Sequence, residues 1–206
     1  MSGYKVIHAV DETLRHLLWS AMKIDPTISD PNILGSSDDK RISFEPPFRL
    51  IQDTEPDNNY LSLFLYRIVE NPDMKNRSLE QKNGNLLQYP PLSLNLFYLV
   101  TPLIKGQSSS ENAHKLLSKA MQIFYDNAIV TGAAIQGSPP DKPEELRIIF
   151  NPISLEDITK LWSSSMRPYH LSVSYEVKVI YIDSERETEA EQVRRKHIEF
   201  KQVTKT

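Results

Sequence analysis

The segment from Leu92 to Thr101 reads LSLNLFYLVT, and its side chains alternate with the period of a β-strand. Five large side chains share one face of this strand: Leu92, Leu94, Leu96, Tyr98 and Val100. Ser93 and Asn95 begin the opposite face. The pattern predicts a strand that turns one apolar face to the core.

Two other long segments have strand character. Leu61–Val69 (LSLFLYRIV) opens with the same Leu-Ser-Leu, and Leu171–Ile182 alternates apolar and polar side chains throughout. Shorter strands are predicted at Arg41–Phe44 and Leu146–Phe150. Long alternating strands of this kind favour an antiparallel sheet.

Three segments have the periodicity of amphipathic helices. The first covers Val6–Met22, and the second runs from about Glu111 to Tyr125, with Ser110 as its predicted N-cap. The third follows Pro152 and opens with a capping signature from Ser154 to Asp157. The order of elements predicts an α+β (α/β sandwich-like) domain over residues 1–183, with a mainly antiparallel sheet of about four strands and helices packed over one face.

Long polar connections and a charged tail complete the chain. Loops are predicted at residues 25–40, 71–91 and 131–143, and Asn83-Gly84-Asn85 marks the tip of the second. The tail at 184–206 is acidic in its first half and mostly basic in its second. The tail is either simply solvated, which its composition favours, or it pairs with itself or with a neighbouring copy.

Composition excludes several classes of function. The formal net charge is −3, whereas nucleic-acid binders usually show a basic face, so no contact with DNA or RNA is expected. The chain has no cysteine, which excludes thiol nucleophiles, disulfides and cysteine-ligated metals and favours a cytosolic origin. No apolar run reaches the roughly 20 residues of a membrane span, and the N-terminus is not a signal peptide. We therefore expect no membrane partner.

Motifs for metal, phosphate or nucleophilic chemistry are missing. His8 and His16 are two helical turns apart, about 12 Å, which is too far for one metal ion. His114 and His197 stand alone in polar surroundings, and the six glycines form neither a phosphate loop nor a nucleophile elbow. The carboxylate pairs Asp38-Asp39 and Glu144-Glu145 fall in polar loops and are expected to be solvated. We predict no catalytic, cofactor-binding or metal-binding residues and no cofactor.

The corner from Leu161 to Asp183 is the closest approach to an active site. Ser163–Ser165, Arg167, Tyr169 and His170 allow a serine–histidine pair, but neither an orienting third group nor an oxyanion donor is visible. A structural interpretation explains more. The serines end a helix, Pro168 stops it, and the alternating strand follows, with Trp162 and Tyr169 as amphipathic rings that can pack over the strand while keeping a hydrogen bond.

The same corner resembles the cap, or tail-terminator, proteins of phage-tail-like contractile injection systems, such as those of the antifeeding prophage and the Photorhabdus virulence cassettes. The matching stretch is LRIIFNPISLEDITKLWSSSMRPYHLSVSYEVKVIYID, residues 146–183. The residues that carry the resemblance there are Pro152, Ser154, Leu155, Glu156, Trp162, Pro168, Tyr169, Ser172, Tyr175 and Val177. A second match lies in the central strand, at Leu94, Leu96, Tyr98, Leu99, Thr101 and Pro102.

A third match keeps His114, Leu116, Leu117, Ala120 and Met121, but Ser118 stands where the family has glycine. Together the matches cover about residues 4–183. The resemblance implies a non-enzymatic subunit that forms a hexameric ring at the baseplate-distal end of the particle. There it would stop growth of the inner tube and tie it to the sheath. It also implies assembly in the bacterial cytoplasm before the particle is released.

The alternative is a stand-alone adaptor that keeps the fold without capping a tube, and an enzyme is the third candidate. For the ring, contacts through the three loops and contacts through the charged tail are both open.

Overall fold

The computed structural model describes residues 4–35, 38–51, 59–74, 78–83, 86–106, 108–137, 145–163, 166 and 168–189. The helices are α1 (Val6–Met22), α2 (Pro47–Leu50), α3 (Ser109–Asp126) and α4 (Leu155–Ser163). The strands are β1 (Ile42–Ser43), β2 (Tyr60–Glu70), β3 (Glu80–Asn83), β4 (Leu86–Gln88), β5 (Leu92–Leu103), β6 (Ile129–Thr131), β7 (Glu145–Asn151), β8 (Val173–Ile182) and β9 (Glu187–Glu189).

Six strands form the main sheet in the order β1-β2-β5-β8-β7-β6. The first pair is parallel and the other neighbours are antiparallel. The α+β class and the mainly antiparallel sheet are therefore confirmed, but the sheet has six strands where the sequence predicted about four. Strand β6 was missed because three residues are too few to show a period.

Strand β5 lies between β2 and β8, and both of its faces are buried. On one face Leu96 and Tyr98 are 0% and 1% exposed, and on the other Leu99 is 2% exposed. The register with each neighbour shifts once, between Leu65 and Arg67 on β2 and between Leu94 and Leu96 on β5. These irregularities locally bend the strands.

The main core lies between the sheet and helices α1 and α3. It joins buried residues of α1, such as Leu14 and Leu18, to Phe124 of α3 and to the inward side chains of β2, β5 and β8. Phe124 packs edge-on against Tyr175 of β8, with ring centroids 4.8 Å apart. The apolar stripes predicted for both helices are confirmed.

A second, smaller core lies on the opposite face of the sheet. There α4 places Ile158 and Trp162 against Leu99, and Phe64 packs beside them. Phe48 of α2 contacts the Phe64 ring edge-on at 6.4 Å. The prediction that helices cover one face is therefore wrong. The polar residues of β5 and β8 suggested a solvated face, whereas part of that face lies under α4.

Partly buried hydrogen bonds hold α1 to β5 and to the segment after β6. The Tyr98 hydroxyl donates to the Asp11 carboxylate over 2.7 Å. Two residues further along α1, the Thr13 hydroxyl accepts from the Gln136 amide at 2.9 Å and donates to the Ala9 carbonyl at 2.7 Å. The Tyr98–Asp11 bond sets the position of α1 along β5 more specifically than apolar packing does, and the bond from Gln136 holds α1 to the segment after β6.

The two predicted helix starts have different outcomes. The Ser154 hydroxyl accepts from the Asp157 amide at 3.1 Å and donates to its carboxylate at 2.7 Å, so the capping signature of α4 is confirmed. The predicted N-cap at Ser110 is wrong. Helix α3 begins at Ser109, and Ser108 precedes it with φ of 58° and no side-chain cap.

Residues 71–91, predicted as a loop, contain strands β3 and β4. They pair with β9 to form a separate three-stranded sheet in the order β3-β4-β9. Asn83 pairs with Leu86, which agrees with the predicted tip, although Gly84 and Asn85 lie outside the described residues. Strand β9 falls in the segment predicted as tail, and residues 190–206 also lie outside the described part.

We predict that Tyr98→Phe destabilises the fold, because it leaves the half-buried Asp11 carboxylate without its donor. The expected loss is about 1–3 kcal/mol in the free energy of unfolding, measured by chemical denaturation. Tyr125→Phe is the matched control, since Tyr125 is 85% exposed. Equal stability of the two variants would contradict the assigned role of the bond.

A second prediction concerns pH. Burial raises the pKa of Asp11, although the bond from Tyr98 opposes the shift. An acid whose pKa rises on folding contributes most to stability below its unfolded pKa, and loses that contribution as pH rises through the folded pKa. The stability of Asp11→Asn relative to the unmodified chain should therefore increase from acid toward neutral pH. A difference in unfolding free energy that stays constant or falls over that range would refute this.

Candidate assembly interface

The corner that suggested a serine–histidine pair is a packed junction between α4 and β8. Trp162 is 3% exposed and contacts the Tyr169 ring edge-on at 6.3 Å. The His170 ring lies against Trp162 with centroids 5.2 Å apart, and burial lowers its pKa. The Ser172 hydroxyl bonds to the backbone carbonyl of His170 at 2.8 Å. These contacts pack the end of α4 against the start of β8. Ser164, Ser165 and Arg167 lie outside the described residues.

Other predicted polar positions are spread over the surface. His8 and His16 lie exposed on α1, and His114 is exposed on α3. Glu145 pairs with Arg147 at 2.5 Å, while Glu144 and His197 lie outside the described part. Within the described ranges, no three histidine, aspartate or glutamate side chains are grouped to hold a metal ion. The absence of catalytic, cofactor and metal residues stays a prediction.

The helices of the described segments include none that is long and apolar enough to cross a membrane.

Residues 25–40, one of the three loops predicted to make contacts, are largely tied to the domain. Ile28, Ile33 and Leu34 are buried in the main core. The Asp25 carboxylate accepts from the Thr27 amide at 3.0 Å and meets Lys119 of α3 at 2.9 Å, and these bonds lower its pKa. Most of this segment is therefore structural, and its apolar side chains are not available to a partner.

The predicted loop at 131–143 is also partly structural. It begins at the end of β6, and Ile135 is 2% exposed in the main core. A Cβ added at Gly137 would lie 3.8 Å from that of Ala9, so the chain passes close to α1 here. Residues 138–143 lie outside the described part.

Beside this segment, an open groove of about 500 Å³ runs along α1. Val6, Ala9 and Trp19 give it an apolar floor, and the Glu12–Arg15 ion pair at 2.9 Å forms part of its wall. Because that pair is internally neutralised, the groove suits an apolar contact better than a charged ligand.

The third segment forms what we call the arm: the sheet of β3, β4 and β9. Its base is fixed to the chain that leaves β8. The Gln88 side chain donates to the Ser184 carbonyl at 2.6 Å, the Tyr89 amide donates to the Arg186 carbonyl at 3.1 Å, and the Arg186 guanidinium lies 4.3 Å from the Tyr89 ring centroid. Strand β9 thus completes a sheet whose other two strands, β3 and β4, lie between β2 and β5 in the sequence.

The arm has no core of its own among the side chains that the structure describes. Leu86 is 38% exposed, and every other described side chain of its strands is half-buried or exposed. Its strands contact one another, and none makes extensive contact with another described element. Since small sheets need an apolar face packed on something to be stable, the arm is suited to docking on another surface.

Sequence reasoning missed the arm because its strands are short and polar. The Asn-Gly pair at 83–84 is a strong hairpin signal, but it usually stands between alternating apolar residues, and Glu80–Asn83 has none. The partner strand β9 is distant in sequence, so its pairing could not be read locally.

Comparison with known proteins identifies the family to which this fold belongs. The family model described as the Pvc16 N-terminal domain matches residues 9–196. No curated protein sequence matches the chain.

Two structures solved by cryo-electron microscopy share the fold. The PVC sheath/tube terminator of an extracellular contractile injection system, in its extended state, aligns with TM-score 0.62 and 20% identity. The alignment covers 96% of this chain and 64% of that one. The tube-terminating cap of the anti-feeding prophage aligns with TM-score 0.53 and 19% identity, covering 95% of this chain and 60% of that one.

This chain therefore spans under two thirds of the length of either solved protein. With its core, its arm and nearly all its length matched by one family model, the chain belongs to the Pvc16 N-terminal domain family.

Proposed function

We propose that this protein is a non-enzymatic structural cap of an extracellular contractile injection system. The observation that carries the proposal is the structural match, over 96% of the chain, to a sheath/tube terminator. In this role the protein ends the inner tube and ties it to the contractile sheath at the end distal to the baseplate.

The cap acts as a ring of copies, and six is the number that the family resemblance implies. A ring needs two different surfaces on each subunit, since head-to-tail contacts that close by rotation generate cyclic symmetry. The arm supplies one such surface, because it exposes side chains that its own sheet cannot bury.

The inner tube and the sheath are the proposed partners, and neither nucleic acid nor membrane is included. The groove along α1 offers an apolar surface for one of them. The subunits assemble in the bacterial cytoplasm and leave as part of the released particle. Residues 1–183 form the terminator-like domain in this proposal, and the charged tail at residues 184–206, which includes β9, makes contacts between subunits.

The first test of this proposal removes the protein. Particles assembled without the chain should have tubes and sheaths of uncontrolled length, because nothing stops the addition of tube rings. Negative-stain microscopy measures the length distribution, and resupplying the chain should restore it. Particles of normal length without the chain would refute the cap and favour the stand-alone adaptor.

The second test removes two of the three strands of the arm, β3 and β4. Replacing residues 74–89 with a short glycine–serine linker should give a folded domain that no longer caps efficiently, since the arm adds little to the main core. The expected result is a broadened length distribution with circular dichroism close to that of the unmodified protein. A matched control shortens the connection between β6 and β7 at residues 138–144. Normal particles from the linker variant would exclude β3 and β4 from assembly.

A further inference from the structure

A second groove, of about 570 Å³, lies on the face of the main sheet that α4 partly covers. Its lining comes from β2, from the segment that joins β7 to α4, and from α4 itself. Pro152, Ile153 and Leu161 give it apolar surface, while Tyr66 and Arg67 give it polar surface. We call it the α4 groove.

The α4 groove carries one positive charge that the domain does not neutralise. Of its charged side chains, Lys160 is bridged to Glu156 at 2.6 Å, and the Asp157 carboxylate is already hydrogen-bonded at the start of α4. Arg67 is exposed, and among the described residues its guanidinium meets no carboxylate and lies 5.2 Å from the Phe97 ring centroid. An aromatic ring orients a guanidinium without neutralising it. The groove therefore offers an oriented cation beside apolar surface.

The end of the arm farthest from its base carries the complementary pair of side chains. Leu86 of β4 and Glu189 of β9 are directly opposite each other in register. Such residues project on the same face of the sheet, with Cβ atoms about 5 Å apart. Leu86 is 38% exposed, and the exposed Glu189 carboxylate has no ion pair within the described part of the chain. We call this pair the tip of the arm.

The tip and the α4 groove do not meet within one chain. Among the described elements, the strands of the arm contact one another, and none makes extensive contact with β2 or α4. The Arg67 guanidinium and the Glu189 carboxylate are thus both left for a partner outside their own domain. Arginine and carboxylate form charge-assisted hydrogen bonds, which are stronger than neutral ones, and each surface adds an apolar side chain next to its charge.

We propose that the tip of one copy docks in the α4 groove of the adjacent copy. Leu86 packs on Pro152 and Ile153, and the Glu189 carboxylate accepts hydrogen bonds from the Arg67 guanidinium. The proposal rests on the ring of the proposed function and names one of its contacts. Tip and groove are different surfaces, so the contact is head-to-tail, which is the kind that closes into a ring.

Cross-linking of assembled particles tests the contact, and it is site-specific because the chain has no cysteine. A full-length variant carries Leu86→Cys and Pro152→Cys, which keep the charges of tip and groove and place small apolar residues at the contact. A short bis-maleimide should join neighbouring copies into a ladder of covalent oligomers on a denaturing gel.

The matched control combines Leu86→Cys with Pro31→Cys, because Pro31 is also an exposed proline but does not line the groove. A contact that holds two thiols together raises their effective concentration, so we expect at least about tenfold more oligomer from the groove variant than from this control.

Charge reversal tests the chemistry of the contact. In the groove variant, Arg67→Glu should lower the oligomer yield about tenfold, because it sets two carboxylates against each other. Adding Glu189→Arg should restore the yield, whereas a folding defect from the lost contact with Phe97 would not be repaired by a change on the arm. Glu80→Arg is the matched control and should restore nothing, since Glu80 is exposed but pairs with Gln88 at the base of the arm.

Three results would overturn the proposal. Cross-links confined to single chains would show that the tip occupies its own groove. An oligomer yield equal to that of the Pro31→Cys control, or a loss that Glu189→Arg does not rescue, would show that the two surfaces do not meet. The proposed function fails by a different measurement, which is the length of particles made without the chain. A cap whose copies meet elsewhere would still end tubes at normal length while giving no ladder.

Discussion

The two-sided burial of β5 is the constraint on which the rest of the structure depends. One face of this strand supports α1 and α3, and the other supports α4 and α2. Each large apolar side chain withdrawn from water contributes about 2 kcal/mol, so the fully buried Leu96 and Leu99 tie both helical layers to one strand. The bond from Tyr98 to Asp11 then selects one position of α1 among those that apolar packing alone would allow. Displacing β5 would disrupt both cores at once.

The arm follows a different principle from the domain. It is built between β2 and β5, the two longest neighbours of the sheet, and is completed by a strand from the end of the chain. The three strands hydrogen-bond to one another, but their described side chains are only half-buried or exposed. In the proposed ring, such a sheet would gain its apolar packing from a neighbouring copy, which would couple its stability to assembly. The molecule thus separates a self-sufficient domain from a segment suited to contacts between subunits.

Sequence reasoning predicted what long periodic segments determine. The bounds of α1 and the strands around Leu63, Leu96 and Tyr175 follow from periods that many residues share, and the Ser154 start of α4 follows from a local hydrogen-bond pattern. The packing of Trp162 over the sheet was also foreseeable, because Pro168 brings the helix end and the strand together.

What could not be predicted depends on contacts between distant residues. Strand β9 forms only because Thr188 meets Leu87, about a hundred residues earlier, and three-residue strands carry no period. The second layer on α4 was missed because Ser174 and Glu176 seemed to face water. In the structure the Ser174 hydroxyl bonds to that of Tyr66 at 2.9 Å, and Glu176 bonds to Asn95 at 2.9 Å.

Cryo-electron microscopy of the baseplate-distal end of intact particles tests the central claim most directly. The account predicts a closed ring, with sixfold symmetry, into which copies of the six-stranded sheet and its helices fit between the last tube ring and the last sheath ring. Density for this chain elsewhere in the particle, or a distal end without it, would contradict the assignment of the protein as the cap.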